Sequence, residues 1–177
     1  MKLTTDMKLT GVMQKINRTI NQQPQAVPGA RGSVFISYSS VDEATVEQLS
    51  ALLRGAGMAP WWAKHLQGGE RFGKAIIEAI DGAIAAVVLW SAASVESAWV
   101  IAEATRAFEQ GKLVPVRFGN LHPMDIPPPF TTLHTLPLED QAGLVRVLEC
   151  RFDARSHGER GIHAAAVNGC AAPQLSR

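Results

Sequence analysis

The sequence predicts an α/β domain built on a parallel sheet, and three observations carry that reading. "SVFISYS" (33–39) is a short aromatic and β-branched run followed by small polar residues, the pattern of a buried strand entering a loop. "AIAAVVLWS" (83–91) is almost continuously apolar, as a central strand covered on both faces should be. Helical patterns alternate with further strand-like runs around these two. That alternation implies parallel strands with helices on both faces of the sheet.

The elements follow in order. Asp42 is suited to cap a helix over 41–57, in which Val46, Leu49, Leu52 and Leu53 make one apolar stripe before Gly55 and Gly57 stop it. "MAPWW" (58–62) reads as a second, shorter strand, 63–73 as a loop and 74–83 as a second helix. After the apolar strand, 94–111 is a third helix with Gly111 at its end, and 112–119 a fourth strand. Residues 121–138 are proline-rich and irregular with room for a last short strand, and 139–152 form a closing helix. The expected sheet therefore has four to five strands. Parallel sheets of this kind bind ligands beyond the carboxyl ends of their strands. The loops after Tyr38, Trp62 and Trp90 are thus expected to meet at one end.

The chain has 177 residues, enough for one domain with tails. The domain is expected over 33–152. Before it, Met7, Leu9, Val12, Met13, Ile16 and Ile20 recur at helical spacing, and Pro and Gly in 21–32 read as a linker. Residues 153–177 are rich in small residues without periodicity and read as a disordered tail. A net charge of +1, with 46% hydrophobic and 19% charged residues, describes an ordinary globular protein without a strong pull toward nucleic acid or membrane. No stretch has the length of a signal-peptide core or a membrane span, and a cytoplasmic location is expected.

Several chemistries find no motif. There is no P-loop, no G-x-G-x-x-G after the first strand and no G-x-S-x-G elbow. Cys150 and Cys170 do not approach zinc-ligand spacing, and His65, His122, His134, His157 and His163 are scattered through loops and tail, so no metal site or bound cofactor is expected. What stands out is "SAWVIAE" (97–103), in which Trp99 and Glu103 lie at i and i+4 on one helix face, beside the loop leaving the apolar strand. The plain alternative is that Trp99 packs on the sheet while Glu103 pairs with Arg106 or Lys112.

Three stretches in order resemble the TIR (Toll/interleukin-1 receptor) domain family, and in particular its bacterial NAD-cleaving members: "FISYSSVD", the glycine-containing "HLQGGERF", and "SVESAWVIAE". The resemblance covers about 33–150. It implies a flavodoxin-like, three-layer fold. It also implies cleavage of NAD+ at the nicotinamide–ribose bond, giving ADP-ribose or a cyclic isomer, with NAD+ as substrate rather than cofactor. Glu103 falls on the catalytic glutamate of the family's W-x-x-x-E box, and Trp99 on the tryptophan that helps hold nicotinamide. Tyr38, Ser39 and Ser40 in the first loop, and Trp62 at the end of the second strand, are expected to line the cleft.

The resemblance further implies self-association through TIR–TIR contacts, an activating protein or small-molecule signal, and a role in antiphage defence. Two departures stand in the second loop. Ala63 and Lys64 follow "WW" where an acidic residue is common, and Gly68 stands where a proline often precedes the loop glycine. Two rival readings remain: a non-catalytic TIR–TIR adaptor or effector, which has no reason to keep Glu103, and a nucleoside deoxyribosyltransferase-like enzyme, which "FISYS" argues against.

Overall fold

The computed structural model describes residues 31–63 and 70–156. The amphipathic helix and linker expected over 1–32 lie outside the described residues apart from Arg31 and Gly32, and so does the tail beyond Ser156. The domain is a five-stranded sheet, every neighbouring pair parallel, with strands β1 (Ser33–Ser37), β2 (Ala59–Trp61), β3 (Ala85–Trp90), β4 (Leu113–Arg117) and β5 (Leu136–Pro137) in the order β2-β1-β3-β4-β5. The helices are α1 (Glu43–Gly55), α2 (Glu70–Gly82), α3 (Ala98–Glu109) and α4 (Gln141–Ser156). This is the flavodoxin-like arrangement, whose strand order reverses between β1 and β3.

Two apolar layers follow from the alternation of side chains along each strand. Val34, Ile36, Ala85, Val87, Val114 and Val116 face α1 and α4, meeting Val46, Leu49, Leu53, Leu144, Leu148 and Phe152. Phe35, Ala86, Val88, Trp90 and Leu113 face α2 and α3, meeting Ile76, Ile80, Val100, Ala104 and Ala107. All six residues of β3 are buried, as its unbroken apolar run predicts. Pro115 is tolerated in β4 because Phe118 N–H bonds to Trp90 O of β3. Alternation therefore turns the position of Pro115 toward β5, which pairs only with Val116 and Arg117.

Several boundaries differ from the sequence expectation, and four of the differences bear on how the domain is built. The stretch 63–73 was expected to be loop throughout, yet α2 begins at Glu70, so Gly73 lies inside a helix whose Ile76 and Ile80 anchor it to the sheet. The third helix starts at Ala98, not 94, because residues 91–97 form a serine-stapled turn. The first helix is preceded by a short 3₁₀ turn at Ser40–Asp42. The closing helix continues to Ser156, so the first residues assigned to a disordered tail are helical.

Two helices end in the same way. Met58 N–H reaches Leu53 O and Gly57 N–H reaches Arg54 O, while Lys112 N–H reaches Ala107 O and Gly111 N–H reaches Phe108 O. Both are Schellman ends, with Gly57 at φ 76° and Gly111 at φ 66°. A Cβ at Gly111 would meet no atom within 4 Å, so replacing it tests the backbone alone. Gly111→Ala should lower stability by about 1–2 kcal/mol in urea unfolding, with the same denaturant dependence.

Candidate functional site

The site starts from β1. Phe35 faces the α2/α3 layer, so Ser37, two residues on, faces it too, at the carboxyl end of the strand. On α3, Val100, Glu103, Ala104 and Ala107 form the buried stripe, which turns a carboxylate toward the sheet. The two meet: Ser37 Oγ donates to Glu103 Oε2 at 2.5 Å. Ser37 is 1% and Glu103 7% exposed. Burial pushes the Glu103 carboxyl up to about 7 from its ordinary 4.5, while hydrogen bonds from the Ser37 hydroxyl and the Trp99 side chain pull it back down.

Trp99 does not pack flat on the sheet. It is 41% exposed in the first turn of α3, one turn before the carboxylate it hydrogen-bonds. Nor does Glu103 pair with Arg106 or Lys112. Arg106 binds Asp81 of α2 through Nε at 2.8 Å and Nη2 at 2.6 Å, and Lys112 Nζ donates to Asp81 O at 2.6 Å. The plain alternative for the pair fails on both halves. A partly exposed indole side chain adjoins a buried carboxylate that, among the described residues, has no cationic side chain bonded to it.

A second set of side chains joins the loops after β1 and β3. Ser91 Oγ donates to Asp42 Oδ2 at 2.6 Å. Ser94 N–H donates to Ser91 Oγ at 3.1 Å, and Ser91 N–H to Ser94 Oγ at 2.7 Å. Ser97 then caps α3 by accepting from Val100 N–H at 3.4 Å. The 3₁₀ turn and the start of α3 are thereby stitched together across the reversal in strand order. The fold positions Trp99 and Glu103 through this stitching.

The remaining expected cleft residues divide. Ser39 is half-buried and Ser40 exposed, both at the mouth of β1. Tyr38 is 2% exposed, packs in the α1/α4 layer, and donates its hydroxyl to Ala63 O at 3.1 Å. Its phenol is held protonated by burial and by the carboxylates Glu43, Glu103 and Glu47. It is a core residue rather than a cleft wall. Trp62 lies in that same layer, with the Arg54 guanidinium 5.4 Å from its ring. Trp61 instead is the aromatic residue of β2 on the Glu103 side: it stacks on Phe35 at 5.4 Å and packs against the layer of α2 and α3. Both corrections have one cause, the two-residue period of a strand. Counting from Phe35 would have put Ser37 and Trp61, not Tyr38 and Trp62, on the Glu103 side.

Among the described residues no His, Cys, Asp and Glu side chains gather into a metal-binding group, and no helix is long and apolar enough to cross a membrane.

The buried carboxylate makes a testable demand on stability. Its folded pKa, about 7, exceeds its ordinary 4.5, so its stabilising contribution is complete below pH 4.5 and is lost as pH rises through 7. Glu103→Gln, which cannot ionise, should match the wild type near pH 4.5 and exceed it by about 3 kcal/mol above pH 7. Urea unfolding across that range reads the difference. A constant gap at every pH would mean that the carboxylate is not held neutral by burial.

The family profile described as TIR domain matches residues 34–148. No curated protein matches the sequence at a significant level. Among solved structures, a metazoan TIR-STING receptor from C. gigas, in complex with 2′,3′-cGAMP, aligns with TM-score 0.55 and 23% identity over 64% of this chain. The chain spans 38% of the length of that receptor. The TIR domain of the Toll-related receptor TRR-2 from Hydra magnipapillata aligns with TM-score 0.52 and 19% identity, covering 70% of this chain and 95% of that one. At these identities the likeness concerns the fold. With the family profile running from β1 through β5 into the first half of α4, the chain belongs to the TIR domain family.

Proposed function

We propose that this TIR domain cleaves NAD+ at the nicotinamide–ribose bond. The observation that carries the reading is the Glu103 carboxylate, 7% exposed and held by Ser37 at the β1/β3 reversal, beside the exposed Trp99. A domain acting only as an adaptor gains nothing from this arrangement, since an ionisable group buried without a cation is destabilising.

The chemistry follows from the groups available. The bond from ribose C1′ to the nicotinamide nitrogen breaks with its electron pair going to nicotinamide, which leaves as a neutral ring. Positive charge develops on the ribose, as in glycoside cleavage. The ionised form of Glu103 stabilises that charge and orients the ribose hydroxyls. The Trp99 ring supplies an apolar and π-rich face for the cationic nicotinamide of the substrate. Water then adds at C1′ and releases a proton, giving ADP-ribose. Attack by an atom of the same molecule gives a cyclic isomer instead. Neither route requires a strong general acid.

Assembly is part of the proposal. Val41, 74% exposed, and Met124, 75% exposed, are apolar side chains on the segments leaving β1 and β4, near the same end of the sheet. They support a TIR–TIR contact that borders the cleft, with activity rising on association. A separate protein or small-molecule signal would promote that association, consistent with a cytoplasmic antiphage role.

Incubation of the purified chain with NAD+, with and without a crowding agent, should release nicotinamide, read by chromatography. Glu103→Ala should reduce the rate by a factor on the order of 100–1,000. Trp99→Ala should cost about 2- to 30-fold in kcat/KM, the range of a cation–π contact. The rate should rise with pH through about 7 as Glu103 ionises. Absence of release under crowding, with the protein assembled, would overturn the enzymatic reading.

A further inference from the structure

Burial alone would hold the Glu103 carboxyl neutral, and a neutral carboxyl cannot stabilise a developing cation. Something in the fold must oppose that effect. The nearby cations among the described residues do not. Arg106 is committed to Asp81 on α2, and Lys112 to the carbonyls of Ile80 and Asp81. Tyr38, next along β1, adds no positive charge and is itself held protonated. On α3, the Trp99 side chain donates to the carboxylate but sits 41% exposed, where a ligand against the ring can disturb it. One buried donor remains on the facing strand: Ser37 Oγ, 2.5 Å from Glu103 Oε2 and 1% exposed.

We propose that Ser37 is the positioning residue of this site, its hydroxyl favouring the ionised form of the Glu103 carboxyl against burial and fixing its orientation beneath the ligand. This rests on the NAD-cleaving reading for its consequence in catalysis, but not for its effect on Glu103. A hydroxyl donating to a charged acceptor makes a stronger bond than a neutral pair, so it favours the ionised form. It also fixes one carboxylate oxygen, Oε2, against the sheet. The strand supplies the rigidity: Ser37 pairs with Val88 of β3 in the centre of the sheet, where its backbone cannot drift.

The test separates the hydroxyl from its shape. Threonine and valine are nearly isosteric, so Ser37→Thr keeps the donor and Ser37→Val removes it from a side chain of equal bulk, while Ser37→Ala removes it without added volume. The Glu103 ionisation is followed in each protein by carbon-13 NMR of labelled glutamate side chains, assigned with Glu103→Gln. Loss of the hydroxyl in Ala and Val should raise the Glu103 midpoint by about one pH unit, a tenfold change in its ionisation constant, with Thr near the wild type. The pH–rate profile for nicotinamide release should move by the same interval. The Ala and Val variants would then be about tenfold slow below pH 7 and nearly normal at alkaline pH.

An unchanged Glu103 midpoint in both Ala and Val overturns the proposal, and so does a rate loss equal at every pH. Should the wild type release no nicotinamide, the NAD-cleaving reading fails by itself, and the NMR titration still decides whether Ser37 governs Glu103.

Discussion

Strand β1 lies between two others and beneath helices on both sides, so every side chain along it must suit one of two buried layers. That constraint organises the rest of the domain. Val34, Ile36 and Tyr38 fill the layer under α1 and α4, while Phe35 joins the layer of α2 and α3. Ser37 is where the α2/α3 side of the strand turns polar, at the end where a ligand could approach. A buried hydroxyl requires a partner. The partner is the carboxylate of Glu103, on the same stripe of α3 as Val100, Ala104 and Ala107. The polar feature of this layer and its apolar packing therefore come from one periodicity.

Around that contact the domain is held at both ends by different means. At the end remote from the reversal in strand order, Asp81 gathers Arg106, Gln110 and Lys112 and ties α2 to α3. These groups are substantially exposed, so they contribute geometry more than stability. At the site end the links are short side chains, Asp42, Ser91, Ser94 and Ser97, which leave little rotamer freedom to be lost. Helix α3 is thus clamped at its carboxyl end by long charged side chains and seated at its amino end by short polar ones.

Much of this was legible in the chain. The apolar run of β3, the stripes of α1 and α3, and the alternation of strand with helix were enough for the sheet and its layers. Glu103 and Trp99 came from their spacing on one helix, joined to the family resemblance. The errors cluster where a local rule competed with context. Residues 70–73 read as the end of a glycine-containing loop, yet they form the first turn of a helix that Ile76 and Ile80 anchor to the sheet. Tyr38 in the first loop and Trp62 at the end of the second strand read as cleft residues by their place in the chain, which does not say which face each side chain takes. The serine staple at 91–97 is invisible to periodicity, because serines read alike as turn, cap or loop until their partners are known.

The position of α4 has a consequence for how the chain acquires this structure. It contributes Leu144, Leu148 and Phe152 to the layer lined by Val34, Ile36, Val87 and Val114. It is also the last element of the domain in chain order. During synthesis, β1 must wait for β3, some fifty residues later, before its central pairing can form, and their shared face is then covered by α1 alone until α4 emerges. Pairings of such sequence separation are slow to close, and a half-covered sheet is adhesive. The nascent domain therefore passes through an interval in which the strands that later present Ser37 to Glu103 are partly exposed. The apolar layer on that face is complete only when the final helix has arrived.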